Sequence, residues 1–373
     1  MPKKRFLVVL VGSLLFVGPM ARWSNNPCDE AFHVEQVLEG HIRVSGLDFS
    51  RPADGWGVGF QYESEEASRE FPFVVRFNGR SWTAAPHPSR PARGTAQLNA
   101  VSVLTADQVW VSGFRQIRLR DQTYVQFWDG DTWTRAATPD PGVGASVQDI
   151  VAISPTDVWA VGHFERRDGE IETMALHFDG HTWTRVDTPS PRGLAALVDV
   201  HASSGTDVWA VGSRSYPSRG LVLHFDGTRW RRVPLPDYFR VHRESDFDAV
   251  HALVPDDVWI VGYRDRRQGT GAVSLRWNGA SWRIIRMLDV RGHENFLDLD
   301  AAGPNQVWTV GDRFVPETPF PFAARWDGSS WRRVPTEDPN TLGELEAVSV
   351  DGGGNVWAAG SRGSDDVMER ACG

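Results

Sequence analysis

The sequence has no lysine after Lys4, only two cysteines, five methionines and five tyrosines among 373 residues, and no excess of positive charge: its formal balance is −9. Each shortage excludes something. An anionic body, more so without Lys3, Lys4 and Arg5, lacks the cationic face that phosphate binding requires, so nucleic acid and anionic membranes are excluded as partners. Long helices are excluded by the same composition, since 17 Trp, 36 Gly and 23 Pro describe many short strands joined by turns. No membrane span is expected either. The N-terminal apolar run Phe6–Gly18 falls short of the roughly 20 residues a spanning helix needs. Behind Lys3-Lys4-Arg5 it reads as an export signal over residues 1–21, cleaved near Ala21 or kept as an N-terminal anchor. Neither a nucleophile elbow nor a phosphate-binding loop occurs.

What is present is a repeat. An apolar-Trp-x-x-Gly core recurs around Trp56, Trp110, Trp159, Trp209, Trp259, Trp308 and Trp357, at spacings of 49–54 residues. Each of the first six is followed by a second motif, Asn-Gly or Asp-Gly and then Trp: Asn78-Gly79 with Trp82, Asp129-Gly130 with Trp133, Asp179-Gly180 with Trp183, Asp226-Gly227 with Trp230, Asn278-Gly279 with Trp282, and Asp327-Gly328 with Trp331. Such dipeptides between strand formers mark a hairpin, and a type I′ turn is expected at each. Upstream, Leu197–Ala202 alternates as a strand and Val208–Gly212 forms a second, so one repeat is a four-stranded antiparallel meander. Seven copies in a ring make an all-β, seven-bladed β-propeller over residues 28–373. Thirteen of the 17 Trp occupy repeated strand positions, where they are expected to fill the gaps between blades; Trp128, Trp277 and Trp326 are left unassigned.

The seventh unit lacks its last strand. After Trp357 the chain offers Asp366–Gly373 and ends, while Phe32–Val37 precedes the first inner strand with no other place in the repeat. The N-terminal stretch is therefore expected to complete the closing blade. That register puts Cys28 beside Cys372, and in an oxidising compartment the two are expected to form a disulfide, with two unrelated thiols as the alternative.

Val161-Gly162, His177-Phe178-Asp179, Trp183 and Pro189-Ser190-Pro191-Arg192 together resemble the kelch repeat, although only one glycine of the family's pair is present. The Asp-Gly-x-x-Trp turn is similar to the Asp-box of sialidase-type propellers, where one further residue separates Asp from Gly. The resemblance spans residues from about 32 to 373. It implies a propeller and names no activity, because neither family has a single function.

Strand direction locates the candidate site. In a meander the b–c and d–a connections emerge on one face, and there the segments differ from blade to blade: 61–72, 116–123, 163–173, 263–271 and 313–321 between strands b and c, and 235–246 between d and a. Such a face is suited to binding. Tyr238 and Tyr263 stand in it as candidate ligand contacts. The inner strands start from the same face. Counting back ten or eleven residues from each Trp gives Asp149, Asp199, Asp248, Asp298 and Glu346, and eight residues back stand His201, His251 and Asp300. A carboxylate ring suits a hard cation such as Ca²⁺ or a cationic ligand group, whereas a hydrated polar channel needs no ligand; no cofactor is required. Arg115, Arg118, Arg120, Arg166, Arg167, Arg264, Arg266, Arg267 and Arg313 are interleaved with acids and are expected to pair with them. The sequence thus reads as a secreted or cell-envelope monomer that binds a glycan or a protein through its variable face. The competing reading is a hydrolase or lyase acting on a saccharide at the acidic channel mouth.

Overall fold

The computed structural model describes residues 31–372 except 39, 65–66, 86, 88–93, 192, 215–217, 242–243, 267–268, 287–292, 316–317 and 338, so the expected export signal and Cys28 lie outside the described residues. These residues build seven four-stranded antiparallel sheets. Their inner strands are Ile42–Arg51, Thr95–Thr105, Gly144–Ser154, Ala195–Ser204, Ser245–Val254, His293–Gly303 and Gly343–Val350, hereafter blades 1 to 7. Blade 4 shows the plan: Ala195–Ser204, Asp207–Arg214, Arg219–Phe225 and Trp230–Arg232 follow one another from the inside outwards. Each inner strand packs on the next and the seventh packs on the first, so the ring is closed. Blade 7 takes its outer strand, His33–Leu38, from the N-terminus; it pairs antiparallel with Asp365–Cys372, from His33 opposite Arg370 to Leu38 opposite Asp366.

Tryptophan holds the blades together. The Trp of each second strand meets, edge to face, the Trp of the next blade's outer strand: Trp56 with Trp133, Trp110 with Trp183, Trp159 with Trp230, Trp209 with Trp282, Trp259 with Trp331 and Trp357 with Trp82, at 5.4–5.8 Å between ring centres. At the closure Phe32 takes that role against Trp308, 6.0 Å away and at 87°. Each pair is worth about 0.5–1.5 kcal/mol beyond the area it buries. Trp128, Trp277 and Trp326 pack 5.9, 5.6 and 5.2 Å from Trp56, Trp209 and Trp259, where other blades use Phe77, Phe178 or Phe225, so they too belong to the core. The free face of the central Trp is covered from its own blade by Arg76, His177, His224, Arg276, Arg325 or Arg370. Four of these reach on to an aspartate at the start of the second strand: Arg76 to Asp54, His177 to Asp157, His224 to Asp207 and Arg276 to Asp257.

Two local features differ from the sequence expectation. The Asp-Gly hairpins are not type I′ turns, because the glycine has positive φ (85–97°) while the residue before it does not. They are four-residue loops in which the Asp or Asn carboxyl or amide oxygen accepts two backbone N–H groups; Asp179 Oδ1 takes those of His181 (2.9 Å) and Thr182 (2.8 Å). The side chain replaces the bonds a tighter turn would have made. Secondly, the b–c segments read as loops are mostly ladder. Strand pairs such as Asp157–Glu165 with Ile171–Phe178 and Asp257–Arg266 with Gly269–Trp277 carry pairing well out into the variable face, since a ladder needs only backbone and tolerates polar side chains.

Every inner strand also carries a β-bulge, at Ser45, Asn99, Gln148, Val198, Asp248, Leu297 or Glu346, where pairing with the second strand skips one residue. The bulge explains the glycine of the Trp-x-x-Gly core. A Cβ on Gly59, Gly113, Gly162, Gly212, Gly262, Gly311 or Gly360 would lie 1.8–2.2 Å from the carbonyl oxygen of the bulged strand, a contact no side chain can make.

Candidate functional site

Alternation sends every second residue of an inner strand towards the ring axis, and the bulge turns one more the same way. The resulting channel holds a cavity of about 240 Å³ lined from all seven blades, and Asp149, Asp199, His201, Asp248, His251, Asp298, Asp300 and Glu346 all line it. So do Asp48, Asn99, Ser102 and Gln148, which the sequence reading missed. Asp48 stands eight residues before Trp56, the position of His201, His251 and Asp300, and extending that tier to blade 1 finds it. The five expected carboxylates line one channel but do not stand at one level. Asp149, Asp199 and Asp298 follow the bulge, whereas Asp248 and Glu346 are the bulged residues themselves, nearer the variable face.

Most of these groups are already bonded. An inner strand is the free edge of its sheet, and its outward N–H groups have no ladder partner. The preceding blade supplies one. Asp149 Oδ2 accepts from Val200 N–H (2.8 Å), Asp199 Oδ2 from Val250 N–H (2.5 Å) and Asp298 Oδ2 from Val348 N–H (2.8 Å). Two residues further in, Asp48 Oδ2 accepts from Val103 (2.6 Å), Ser102 Oγ from Ala152 (2.9 Å), His201 Nδ1 from Ala252 (3.1 Å) and Asp300 Oδ2 from Val350 (2.7 Å). His251 Nδ1 lies 3.0 Å from Asp300 Oδ1 and joins blades 5 and 6, and Arg43 joins blades 7 and 1 through Glu344 (2.7 Å) and Glu346 (2.9 Å). All seven blade interfaces are thus clasped at the channel, each bond contributing about 1 kcal/mol.

The electrostatics follow from this burial. Asp149 is held well above the usual carboxylate range by desolvation, then by the charge of Asp199 and a hydrogen bond with it, and burial raises Asp199 as well. Asp298 is raised well above it by burial and by Asp199, and burial pushes Asp48 up to about 7 against the N–H groups it accepts. Glu346 reaches about 7 because burial outweighs Arg43. His201 is depressed to about 3 by burial and by His251, whose ring stacks on it at 3.9 Å; it is neutral, as an Nδ1 acceptor must be. Asp300 is raised by burial, but the hydrogen bond and charge of His251 carry it below its ordinary value. Among the described residues no group of three or more His, Cys, Asp or Glu is arranged to hold a metal ion. His177 and His181, four residues apart, are no exception: they flank a hairpin turn, with His177 stacked on Trp159 and His181 exposed.

Neither candidate tyrosine lines the channel. Tyr238 opens a single helical turn, Tyr238–Val241, beneath the Arg264 guanidinium (4.3 Å) and beside Phe239, which is buried against Phe247 (5.6 Å). The segment read as a long irregular loop is therefore folded down on blade 5. Tyr263 lies in a strand and its hydroxyl donates to Asp246. The arginines of the variable face pair locally, Arg166 with Asp168 (3.0 Å) and Glu172 (2.9 Å), Arg120 with Asp140 (3.6 Å) and Arg115 with Gln122 (2.8 Å). Beside exposed charged residues such as Arg118, Arg120 and Glu165–Asp168, that face also exposes apolar side chains. Of nine exposed large hydrophobic residues among those described, Tyr62, Leu119, Val143, Leu194, Val198, Val315 and Leu342 lie at the b–c and d–a ends of the blades, and Leu119 is 92% exposed.

Neither a protein-family model nor a curated protein sequence matches the chain. Solved structures do. The chain is similar to YCF48 from Cyanidioschyzon merolae at 14% identity and TM-score 0.55, covering 92% of this chain and 99% of that one. It is similar to the WD40 β-propeller domain of Doa1 at 10% identity and TM-score 0.56, covering 91% and 96%. It is also similar to the β-propeller domain of the Trilobed protease from Pyrococcus furiosus at 9% identity and TM-score 0.53, covering 89% and 94%. At these identities the likeness is one of fold.

Proposed function

We propose that this chain is an exported, monomeric, kelch-like binding propeller that docks a protein or a glycan on the face carrying its b–c hairpins and d–a connections, without catalysing a reaction. The observation that carries this reading is the placement of exposed apolar side chains: seven of nine sit on that face, and Val143, Leu194 and Leu342 recur at the residue preceding an inner strand. Apolar side chains gathered on one face of a soluble protein mark an interaction surface. The competing reading, a saccharide hydrolase or lyase at the channel mouth, needs a carboxyl pair free to act on substrate. The clasps count against it, because Asp149, Asp199 and Asp298 accept backbone N–H groups of the next blade.

The test compares Asp199→Asn with the pair Leu119→Asp and Leu194→Asp in glycan arrays and in capture from cell-envelope fractions. Asn can still accept the Val250 N–H, so Asp199→Asn should retain binding, and the loop-face pair should lose at least tenfold. Saccharide turnover abolished by Asp199→Asn in a folded protein would overturn the reading.

A further inference from the structure

The channel mouth is not uniform. Its first two tiers on blades 2, 3 and 4 are Gln97 and Asn99, Ser146 and Gln148, Ala196 and Val198: amides and small or apolar groups. On blades 5, 6 and 7 they are Asp246 and Asp248, Asn295 and Leu297, Glu344 and Glu346, with Asp312 of the second strand of blade 6 opposite Asn295. Half the mouth is an acidic arc.

The two ends of that arc are filled differently. At the blade 7 end the Arg43 guanidinium sits between Glu344 and Glu346. At the blade 5 and 6 end the donors among the described residues that reach the acids are neutral: Ser218 and Tyr263 donate to Asp246, and Asn295 bonds Asp312. Two carboxyl oxygens there have no partner at all. Asp312 is 4% exposed, and its Oδ1 is buried without a hydrogen bond; so is Asp248 Oδ2, on a residue that lines the cavity. The charged neighbours that act on Asp248 are carboxylates, namely Asp246, Asp199 and Asp312, and Asp312 feels Glu344. A buried acceptor with no donor costs about 1–3 kcal/mol, so the unbound arc is poised for a donor-rich cation.

We propose that the blade 5 and 6 end of the mouth, built from Asp246, Asp248 and Asp312, is a pocket for one organic cation, a guanidinium or primary ammonium group. The chemistry repeats what Arg43 does at the other end: a fork of N–H donors bridges oxygens too dispersed for a metal's coordination sphere. A rigid ring presents this pocket at the centre of the variable face. The source of the cation rests on the docking reading above, taken with a protein and not a glycan as the partner, and is then an Arg or Lys side chain of that protein. Burial and the neighbouring acids hold Asp248 well above the carboxylate range, and burial with Glu344 brings Asp312 to about 6, so Asp312 supplies charge to the pocket above that pH.

The full chain is tested by thermal unfolding with agmatine, against equal concentrations of tetramethylammonium, which has the charge and no N–H donor. At pH 8 agmatine should raise the midpoint in a saturable way while tetramethylammonium leaves it unmoved. At pH 5 the response should fall at least fivefold. The double variant Asp248→Asn with Asp312→Asn should fold with an equal or higher midpoint, having lost unpaired buried charge, and should lose at least four-fifths of the agmatine response. Equal responses to the two cations, or a wild-type agmatine response in the double variant, would overturn the pocket. The loop-face variants separate the two readings: if they abolish partner capture while agmatine still binds, the pocket stands, and if capture survives in them the docking reading falls by itself.

Discussion

Substituting Gly212→Ala tests the bulged inner strand on which the channel depends. The new Cβ would lie 2.2 Å from Ala196 O and 2.9 Å from Leu197 Cα, both backbone atoms of the neighbouring strand. Ordinary contact begins near 3.4 Å, so strand Ala195–Ser204 must retreat by about 1 Å along a ladder whose pairs flank the bulge at Leu197 and Asp199. Overpacking of this kind costs about 1–3 kcal/mol, and a lost ladder bond adds about 1. The entropic benefit of Gly→Ala, about 0.4–1 kcal/mol, offsets part of that, because φ at Gly212 is not positive. A net loss of about 2 kcal/mol is expected. Gly303→Ala is the matched control, since no heavy atom lies within 4 Å of its Cβ and its φ is not positive either. Urea titration with unchanged slope should show Gly212→Ala well below the wild type and Gly303→Ala equal to it or slightly above. If the two variants differ by less than about 0.5 kcal/mol, the steric account of the Trp-x-x-Gly core is wrong.

Stability should fall as pH rises from 5 to 8. Asp48, Glu346 and Asp366 are held at about 7 and Asp312 at about 6, above their unfolded values near 4, so the stability they contribute when protonated is lost as pH climbs through 6–7. Thermal midpoints in matched buffers check this, and Asp48→Asn, which keeps an acceptor for Val103, should flatten the profile. The turn aspartates Asp129 and Asp179, held low by backbone N–H groups, act the other way and lose their contribution only in stronger acid. Non-reducing peptide mapping of the protein from an oxidising compartment should find Cys28 linked to Cys372, a closure worth roughly 4–5 kcal/mol; both thiols alkylating freely would refute it. Ca²⁺ followed by EDTA should leave the thermal midpoint unchanged, because Asp149, Asp199, Asp298 and Asp300 accept backbone N–H groups and no group of three or more acids or histidines among the described residues is arranged to hold a metal ion; a rise of several degrees would restore an ion site.

Much of the fold was legible because the Trp-x-x-Gly core and the Asp-Gly-x-x-Trp hairpin combine strand period with turn chemistry, and both recur every 50 residues or so. Closure by Phe32–Val37 followed from counting strands. The turn type did not, since whether Asp179 or only Gly180 adopts positive φ depends on the side-chain bonds to His181 and Thr182. The bulge left one trace, the slip between residues ten and eleven before Trp, which reads as scatter until pairing is seen. The channel residues were found by register, but the fate of their carboxyls was not, because the Val200, Val250 and Val348 donors belong to another blade about 50 residues away. Tyr238 and Tyr263 stand in segments whose charged residues read as loop, while the backbone continues as ladder or folds onto blade 5.

The central claim is that the channel carboxylates hold consecutive blades together by accepting their free-edge N–H groups. Amide hydrogen exchange at Val200, Val250, Val348 and Val350, followed in the wild type and in Asp149→Ala, Asp199→Ala, Asp298→Ala and Asp300→Ala, tests it directly. The account predicts strong protection at all four amides in the wild type, and in each variant a loss of protection at the one amide its carboxylate had bonded. Exchange of these amides at unprotected rates in the wild type, or protection indifferent to the substitutions, would contradict it.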